Sequence, residues 1–509
     1  MKQRSRIPER PKRARTFEPE NTAAQPAERA VRTQPGDLHG WFGSETVKTR
    51  LGNFEFKNSY PAGDAAKQLR DALLFNRAVE AYLVQMHGVS WYRVWNGTAE
   101  AGAKSPNQVV LWEDLMDGAT LLLTGNCETV YGLCAIDLKG DGPVVIEAPA
   151  GLLGGISDMW QRSIMDIGPT GHDKGKGGKF LLLPPDYAGA VPDGYMSAKS
   201  RTYGAVFGVR AFQSSGGGTA QPVSLLKTTK IYPLSQAANP PATAFVNGSH
   251  QEIDTIFLDT GQYFTDLARI VEREPLDVIP SHERFQLAAI GIEKGKPFTP
   301  DATRKALFND AARFASAIAR TNSFASDDPA RLVYADRVWE WMFIGGSATW
   351  DSQGYVNTDR RSSFAYIAIG MSPAMVEKHV GTGSQYLWTP REASGAFLDG
   401  GKRYRLHIPP NIPVKNFWSV VAYDADSRSI LRSGQPFPSV SSYTGPVANA
   451  DGSIDIDFGP EAPTGSGTHS KNWIQTTSGK GWFALFRFYG PLEPFFDKTW
   501  KPGDIEKVK

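Results

Sequence analysis

Two β-type runs, one in each half of the chain, carry polar side chains at positions that a sheet would bury. The first lies between Gly125 and Pro149, and the second comprises NFWSVVAYDAD and the later NWIQTTSGKGWFALFRFYGPLEPFFDKTW. Burying an unpaired polar group costs about 1–3 kcal/mol, so each must be paired or must face a cavity. The pattern predicts two β-domains that share a polar site. The polar residues are Asn126, Glu128, Asp137, Asp424, Asn472 and Arg487.

The length and the turn residues indicate more than one domain. A chain of 509 residues is too long for a single core, and its 51 Gly and 35 Pro favour turn-rich β architecture. We expect a mainly β fold with a helical insert (α+β), built from two antiparallel jelly-roll-like sandwich domains. The predicted segments are a disordered basic tail (1–40), an N-terminal helix with the first β domain (41–250), a helical linker or insert (251–350) and a second β domain (351–509).

The hydrophobic periodicity gives provisional bounds for the elements. Helical spacing of apolar residues predicts helices over 65–86, 281–292 and 300–320. Short apolar runs bounded by Gly, Pro and Asp predict strands. These cover residues 108–113, 120–124, 128–138, 143–148, 179–183, 202–212, 364–371, 385–388, 403–408, 417–424, 453–458 and 482–489.

The charge distribution and the hydropathy bear on partners and location. Lys and Arg are concentrated in residues 1–15, and the remainder is slightly acidic with no recognised nucleic-acid-binding motif. No apolar run reaches the roughly 18–20 residues of a membrane helix, and no apolar segment of a secretory signal follows the basic start. We therefore expect a cytoplasmic protein whose folded body binds neither nucleic acid nor membrane.

The sequence lacks the common catalytic motifs. It contains no GxSxG elbow, no HExxH, no phosphate-binding Gx4GK[ST] and no paired CxxC, and nothing indicates a nucleotide cofactor. Cys127 and Cys134 are expected to be buried thiols. A divalent metal ion is an alternative cofactor, with Glu128, His172 and Asp173 as candidate ligands, because carboxylates and imidazoles commonly bind such ions.

Asn126, Glu128 and Arg487 are the residues in the two runs with the clearest chemistry. On a strand, Asn126 and Glu128 would point the same way, where they could orient a substrate, act as acid or base, or bind a hard cation. They could equally cap the strand and bind loop amides. Arg487 stands between two phenylalanines and should find either a carboxylate partner or an anionic ligand.

Several ordered motifs resemble a bacterial tandem family of domains of unknown function, numbered twelve-fifty-four and twelve-fourteen. The first domain's pattern is matched by NCETVY (126–131), IDL (136–138) and GPVVIEAP (142–149). The second is matched by FWS (417–419), NWI (472–474) and RFYGP (487–491). The resemblance implies a double jelly-roll fold, a homo-oligomer and a proposed metal-dependent hydrolase activity. Glu128 stands where the family pattern usually has Asp.

The leading hypothesis is an enzyme that acts on a small organic molecule, by hydrolysis, at a site shared by the two β domains. Asn126 and Glu128 would be catalytic, and Tyr131 would take part only if the strand bulges there. Trp418, Tyr423 and Arg487 would bind the substrate. One alternative is a non-catalytic oligomeric jelly-roll protein with a binding or structural role. Another is a metal-dependent lyase or oxygenase that uses the same site.

Overall fold

The computed structural model describes residues 43–105, 108–214, 217–463 and 471–508. They form two compact units that divide between Asp71 and Ala72. The predicted disordered tail, residues 1–40, lies outside the described residues. Within the described ranges, no helix combines the length and apolar character needed to cross a membrane.

The first unit contains a three-stranded antiparallel sheet of β1 (Ser44–Thr49), β2 (Gly52–Lys57) and β3 (Tyr60–Pro61). Helix α1 (Ala65–Glu100) starts in this unit and continues into the second. It runs beyond the predicted end at Met86 because its later turns bury Trp91 and Val94. Gly97 allows close packing there, since a Cβ at this position would lie 2.6 Å from Cγ2 of Thr255.

The first half of the second unit is a β-sandwich. Its two main sheets have the strand orders β11-β10-β7-β13 and β14-β4-β6-β12-β8-β9, and their facing sides enclose one apolar core. Neighbouring strands are antiparallel except for the pairs β10–β11, β4–β14 and β5–β15. In chain order the elements are β4 (Gln108–Leu111), β5 (Thr120–Leu121), β6 (Thr129–Asp137), α2 (Leu138–Asp141), β7 (Val144–Ala148), β8 (Leu153–Asp158), β9 (Ser163–Ile167), β10 (Gly178–Leu183), β11 (Met196–Lys199), β12 (Gly204–Phe212), α3 (Ala220–Leu226), β13 (Lys230–Pro233), β14 (Ala244–Asn247) and β15 (Ile253–Asp254).

A helical segment follows, with α4 (Gln262–Arg273), α5 (Ser281–Ala289) and α6 (Ala302–Phe324). Asp301 caps α6 by accepting a hydrogen bond from the backbone N–H of Arg304 at 2.8 Å. The two predicted helices in this region are thus α5 and α6, with small shifts at their ends.

The second half contains another sandwich, with strand orders β16-β19-β25-β21-β22 and β24-β23-β20-β26. Its strand neighbours are antiparallel except for β23–β24. In chain order the elements are β16 (Glu340–Trp341), β17 (Asp351–Ser352), β18 (Tyr355–Val356), α7 (Thr358–Ile367), α8 (Pro373–Val376), β19 (Ser384–Thr389), β20 (Tyr404–Ile408), β21 (Val414–Asp424), β22 (Ser439–Ser441), β23 (Ile454–Gly459), β24 (Trp473–Gln475), β25 (Trp482–Pro491), α9 (Glu493–Phe496) and β26 (Ile505–Lys507).

The strand predicted over 364–371 is wrong, because α7 occupies most of that run. Asn357 caps this helix by accepting from the N–H of Arg360 at 3.0 Å, and the helix buries Phe364 to Ile367. An apolar run this short cannot by itself distinguish a buried strand from a buried helix.

Each sandwich encloses its own apolar core. The outer face of the larger sheet of each sandwich also packs into a separate central core. This core combines side chains of α1, α4, α6 and α7 with residues such as Leu133 of β6, Val206 of β12, Tyr423 of β21 and Leu485 of β25. The mainly β, sandwich-type fold with several helices is confirmed. The predicted domain boundaries stay predictions. The arrangement brings the two family-like halves of the chain to a common interior.

Candidate functional site

Strand pairing in the first sandwich places a tyrosine beside an arginine on the face toward the central core. Arg210 of β12 is directly opposite Tyr131 of β6 in the register. Its Nη1 donates to the Tyr131 hydroxyl oxygen at 2.8 Å. Because alternate residues of a strand share a face, Arg210 lies on the same side as Val206, away from the sandwich core that holds Val209.

The second sandwich contributes an equivalent pairing from its five-stranded sheet. Arg487 of β25 is opposite both Tyr386 of β19 and Ser419 of β21. The Arg487 guanidinium donates to the Tyr423 hydroxyl oxygen at 2.5 Å and to the carbonyl oxygen of Thr124 at 2.7 Å. Both sheets therefore present a guanidinium group toward the same interior.

Neither arginine forms an ion pair within the described ranges. No carboxylate there lies within ion-pair distance of Arg210 or Arg487, and Nε of Arg210 is buried without any hydrogen-bond acceptor. The Glu128 carboxyl interacts with Arg487 at longer range, and the arginine charge lowers its pKa against the larger effect of burial. Removing one partner from a buried ion pair typically costs about 3–5 kcal/mol, so buried charges without a directly contacting counter-charge are expensive. The two guanidinium groups thus create a positive interior that can accept an anion.

Tyr131 and Tyr489 have pKa values shifted in opposite directions, although the arginine charges lower both. Burial alone would raise the pKa of Tyr131, but the charges of Arg210 and Arg487 outweigh burial and lower its pKa below the ordinary value. Burial raises the pKa of Tyr489 well above its ordinary value, even though Arg210 opposes the rise. Titratable groups whose environments separate their pKa values are candidates for acid–base roles.

Two adjoining cavities lie at this point. One has a volume of about 140 Å³ and the other about 60 Å³. Tyr131, Arg210, Gly370 and Met375 line both, and Arg487 lines the smaller. The segment between α7 and α8 forms part of the wall, and Gln161 fixes it by accepting from the Gly370 N–H at 2.9 Å. A cavity of about 150 Å³ accommodates a molecule the size of benzene, so the larger one suits a small organic ligand.

The structure places Asn126 and Glu128 in the loop before β6, where they link the sandwiches. The Asn126 side chain accepts from the Glu128 N–H at 2.9 Å and donates to the Tyr489 hydroxyl oxygen at 2.9 Å. Both carboxylate oxygens of Glu128 accept from serine hydroxyls of β22, one from Ser439 and one from Ser441 at 2.6 Å. Burial raises the pKa of Glu128, against the effect of these hydrogen bonds. Its contacts are those of a structural connection between the halves of the chain.

The other predicted site residues separate into those near the arginines and those elsewhere. Tyr423 is fully buried and contacts Arg487, as described above. Trp418 points into the core of the second sandwich, where its ring lies 5.8 Å from that of Phe486. Trp418 and Arg487 therefore occupy opposite faces of one sheet, and Trp418 does not line either cavity.

The candidate metal ligands do not come together. Asp173 accepts from the backbone N–H groups of Gly168 at 2.9 Å and Gly177 at 3.1 Å, which organises its own loop, and His172 is exposed. Glu128 is engaged by two serines at a different place. Over the described ranges, no three His, Cys, Asp or Glu side chains are arranged to hold a metal ion. These three residues do not fit the metal site that the family resemblance implies.

Both cysteines are buried, and burial raises the pKa of each thiol, which disfavours the reactive thiolate.

Arg210 is a site residue that the sequence hypothesis omitted. In GVRAF it stands between apolar neighbours on a strand, as Arg487 does in LFRFY. The argument applied to Arg487 would have selected Arg210 as well.

Comparison with known proteins supports the family resemblance. The family model described as "Protein of unknown function (DUF1254)" matches residues 106–233, and "Protein of unknown function (DUF1214)" matches residues 383–493. A comparison with curated proteins gave no match.

Two solved structures are similar over most of the chain. The VPA0106 protein from Vibrio parahaemolyticus is 18% identical with a TM-score of 0.54, covering 86% of this chain and 100% of that one. An uncharacterised protein from Burkholderia cenocepacia is 12% identical with a TM-score of 0.39, covering 86% and 95%. The Vibrio structure shows the shared fold alone. The chain thus contains a DUF1254 match followed by a DUF1214 match, both described as of unknown function.

Proposed function

We propose that this protein is an enzyme that hydrolyses a small carboxylic ester in the cavity between its two sandwiches. The observation that carries the proposal is that the guanidinium groups of Arg210 and Arg487, next to Tyr131 at the cavity wall, form no ion pair within the described ranges. Ester hydrolysis creates negative charge first on the carbonyl oxygen and then on the product carboxylate. A positive, enclosed site stabilises both.

Tyr131 supplies the acid–base group. Its lowered pKa makes the phenolate more accessible than in an ordinary tyrosine, and the phenolate takes a proton from water as the hydroxide adds to the carbonyl carbon. The tetrahedral oxyanion lies in the field of Arg210 and Arg487. Its collapse breaks the bond to the alcohol oxygen, and that oxygen takes the proton from the Tyr131 phenol. The result is one alcohol and one carboxylic acid, which ionises beside the arginines and releases its proton to the solvent.

The roles differ from those expected from the sequence. Glu128 and Asn126 position the loop that precedes β6 and contact the second sandwich, whereas Tyr131 is the catalytic residue. Tyr423 and Thr124 hold the Arg487 guanidinium in place through its Nη atoms. The proposal routes no step through a metal ion.

The test is a screen of small esters, beginning with methyl pentanoate, in which acid release is followed by pH-stat. Tyr131→Phe should lower the rate of any hydrolysed ester by at least about 100-fold, the usual scale of a lost acid–base group. Tyr232→Phe is the matched control, because Tyr232 is also a buried tyrosine of the first sandwich but donates to Glu147, at 2.6 Å, and does not line the cavities.

Two results would contradict the proposal. Full activity in Tyr131→Phe would remove the phenol from the mechanism. Binding of pentanoate without turnover of any ester would favour the alternative of a non-catalytic binding protein.

A further inference from the structure

We infer that the acyl group recognised by this cavity carries a hydroxyl or amino group at the end remote from its carboxyl carbon. The inference rests on the proposed ester hydrolysis and adds the substrate class. It comes from Asp166, a carboxylate on the wall of the same cavity as Arg210.

Asp166 is held with its carboxylate over a glycine. Its Oδ1 accepts from the Ser163 hydroxyl at 3.1 Å and lies 3.4 Å from where a Cβ of Gly155 would stand. Among the residues that the structure describes, no Lys, Arg or His lies within ion-pair distance of this carboxylate. Burial raises the pKa of Asp166, against the hydrogen bonds from the Ser163 hydroxyl and the Ala374 backbone and against the charge of His379. The carboxylate has two oxygens, and each can accept more than one hydrogen bond. The group can therefore accept a hydrogen bond from a ligand that enters the cavity.

The sheet register fixes how Asp166 and Arg210 are related. Gly208 of β12 pairs with Gly155 of β8, which pairs with Asp166 of β9, so these three residues share one row and one face. Arg210 lies two residues farther along β12 on that same face. Two strand spacings across and two residues along place the Cα atoms of Arg210 and Asp166 about 12 Å apart. Their side chains shorten the gap that a ligand must span.

Gly155 and Gly208, which lie between Arg210 and Asp166 on this face, contribute no side chains, so this part of the wall is open. Leu133, Val206 and Ile369 give the cavity apolar lining, and Ser157, Ser163, Ser372 and Ser384 also line it. A short methylene chain fits over the two glycines. The chemistry of the cavity thus matches a carboxyl carbon at Arg210, an apolar spacer, and a hydrogen-bond donor at Asp166.

The experiment compares three product-like probes by isothermal titration calorimetry with the intact protein: pentanoate, 5-hydroxypentanoate and 5-aminopentanoate. The two substituted acids should bind at least about tenfold more tightly than pentanoate, the scale of a hydrogen bond to a charged group. Asp166→Asn keeps the size and a carbonyl acceptor but removes the charge. It should abolish the advantage of the amino compound and leave the affinity for pentanoate within about twofold.

The outcomes separate this inference from the proposed function. Equal affinities of the wild-type protein for all three acids would overturn the inference and leave the carboxylate site intact. An unchanged preference for 5-aminopentanoate in Asp166→Asn would overturn the assignment to Asp166. Failure of all three acids to bind would overturn the carboxylate site on which the inference rests. The first and third outcomes are decided by the wild-type protein alone. If Asp166→Asn does not fold, Asp166→Ser takes its place in the second comparison.

Discussion

The hydrogen bonds between Glu128 and β22 make the structural role of Glu128 directly measurable. Ser439→Ala removes the hydroxyl that donates to one carboxylate oxygen, and Glu128→Gln removes the charge while keeping the shape. If Glu128 connects the sandwiches, the loss of unfolding free energy caused by Ser439→Ala should depend on whether residue 128 is Glu or Gln. Neither substitution should abolish ligand binding or turnover.

The structure sets the expected size of the effect. A hydrogen bond to a charged group contributes about 1.5–3 kcal/mol, and a neutral one about 0.5–1.5 kcal/mol. Ser439→Ala should therefore lower the free energy of unfolding by about 2 kcal/mol when Glu128 is ionised and by about 1 kcal/mol when Gln replaces it. The coupling energy of the double-mutant cycle should be about 1 kcal/mol.

The pH dependence follows from the raised pKa of Glu128. A carboxyl group whose pKa is higher in the folded protein stabilises the fold below its ordinary pKa of about 4.3, and this contribution is lost as the pH rises through the folded pKa. Relative to Glu128→Gln, the wild-type protein should lose stability over that interval. The cost of Ser439→Ala should grow over the same interval, because the hydrogen bond gains strength as Glu128 ionises.

Urea unfolding followed by tryptophan fluorescence, at several pH values, gives the four free energies of the cycle. Pentanoate titration and ester turnover of Glu128→Gln complete the test and should match the wild-type values within about threefold. The reasoning fails if Glu128→Gln loses turnover at unchanged stability and shows no coupling to Ser439→Ala. That result would restore Glu128 as a catalytic residue.

Three further predictions address the phenol, the cavity and the second sandwich. In alkaline ultraviolet titration, Tyr131→Phe should remove a phenolate transition below the ordinary tyrosine pKa, whereas an unchanged titration curve would contradict the lowered pKa. Gly208→Val should lower pentanoate affinity at least tenfold, because a Cβ there already lies 3.2 Å from Leu133 Cδ2, and undiminished binding would place the ligand elsewhere. Trp418→Phe should cost about 1–3 kcal/mol of stability in the buried core without changing pentanoate affinity, and a loss of binding at unchanged stability would restore Trp418 to the site.

The long central strands β6, β12, β21 and β25 could be predicted because their apolar runs are bounded by clear turn residues. Shorter or more polar strands are missed, among them β8 and β9, which carry Gly155 and Asp166 of the cavity wall. Pairing between distant strands could not be predicted, since a single sequence does not reveal register. The contact between Arg210 and Tyr131 depends on that register. So does the position of Arg487 opposite Tyr386.

The sequence hypothesis about the catalytic residues depended on extending β6 backward. The face shared by Asn126 and Glu128 assumed a strand from residue 126, but β6 starts at Thr129. Instead, the Asn126 side-chain oxygen accepts a hydrogen bond from the N–H of Glu128 and forms a local turn. Asn favours such turns because its side chain competes with the backbone for hydrogen bonds. Alternation could, however, have separated Trp418 from Tyr423, because these two positions differ by an odd number on one strand.

The most direct test of the account is the affinity of the Arg210 site for a carboxylate. Pentanoate should bind the wild-type protein, and Arg210→Met should weaken that binding at least tenfold while the protein stays folded by circular dichroism. Arg428→Met is the matched control, because Arg428 is also a buried arginine but donates to the Tyr366 carbonyl oxygen outside both cavities. Equal pentanoate affinity in wild-type and Arg210→Met protein would contradict the central claim that the unpaired guanidinium groups form an anion site.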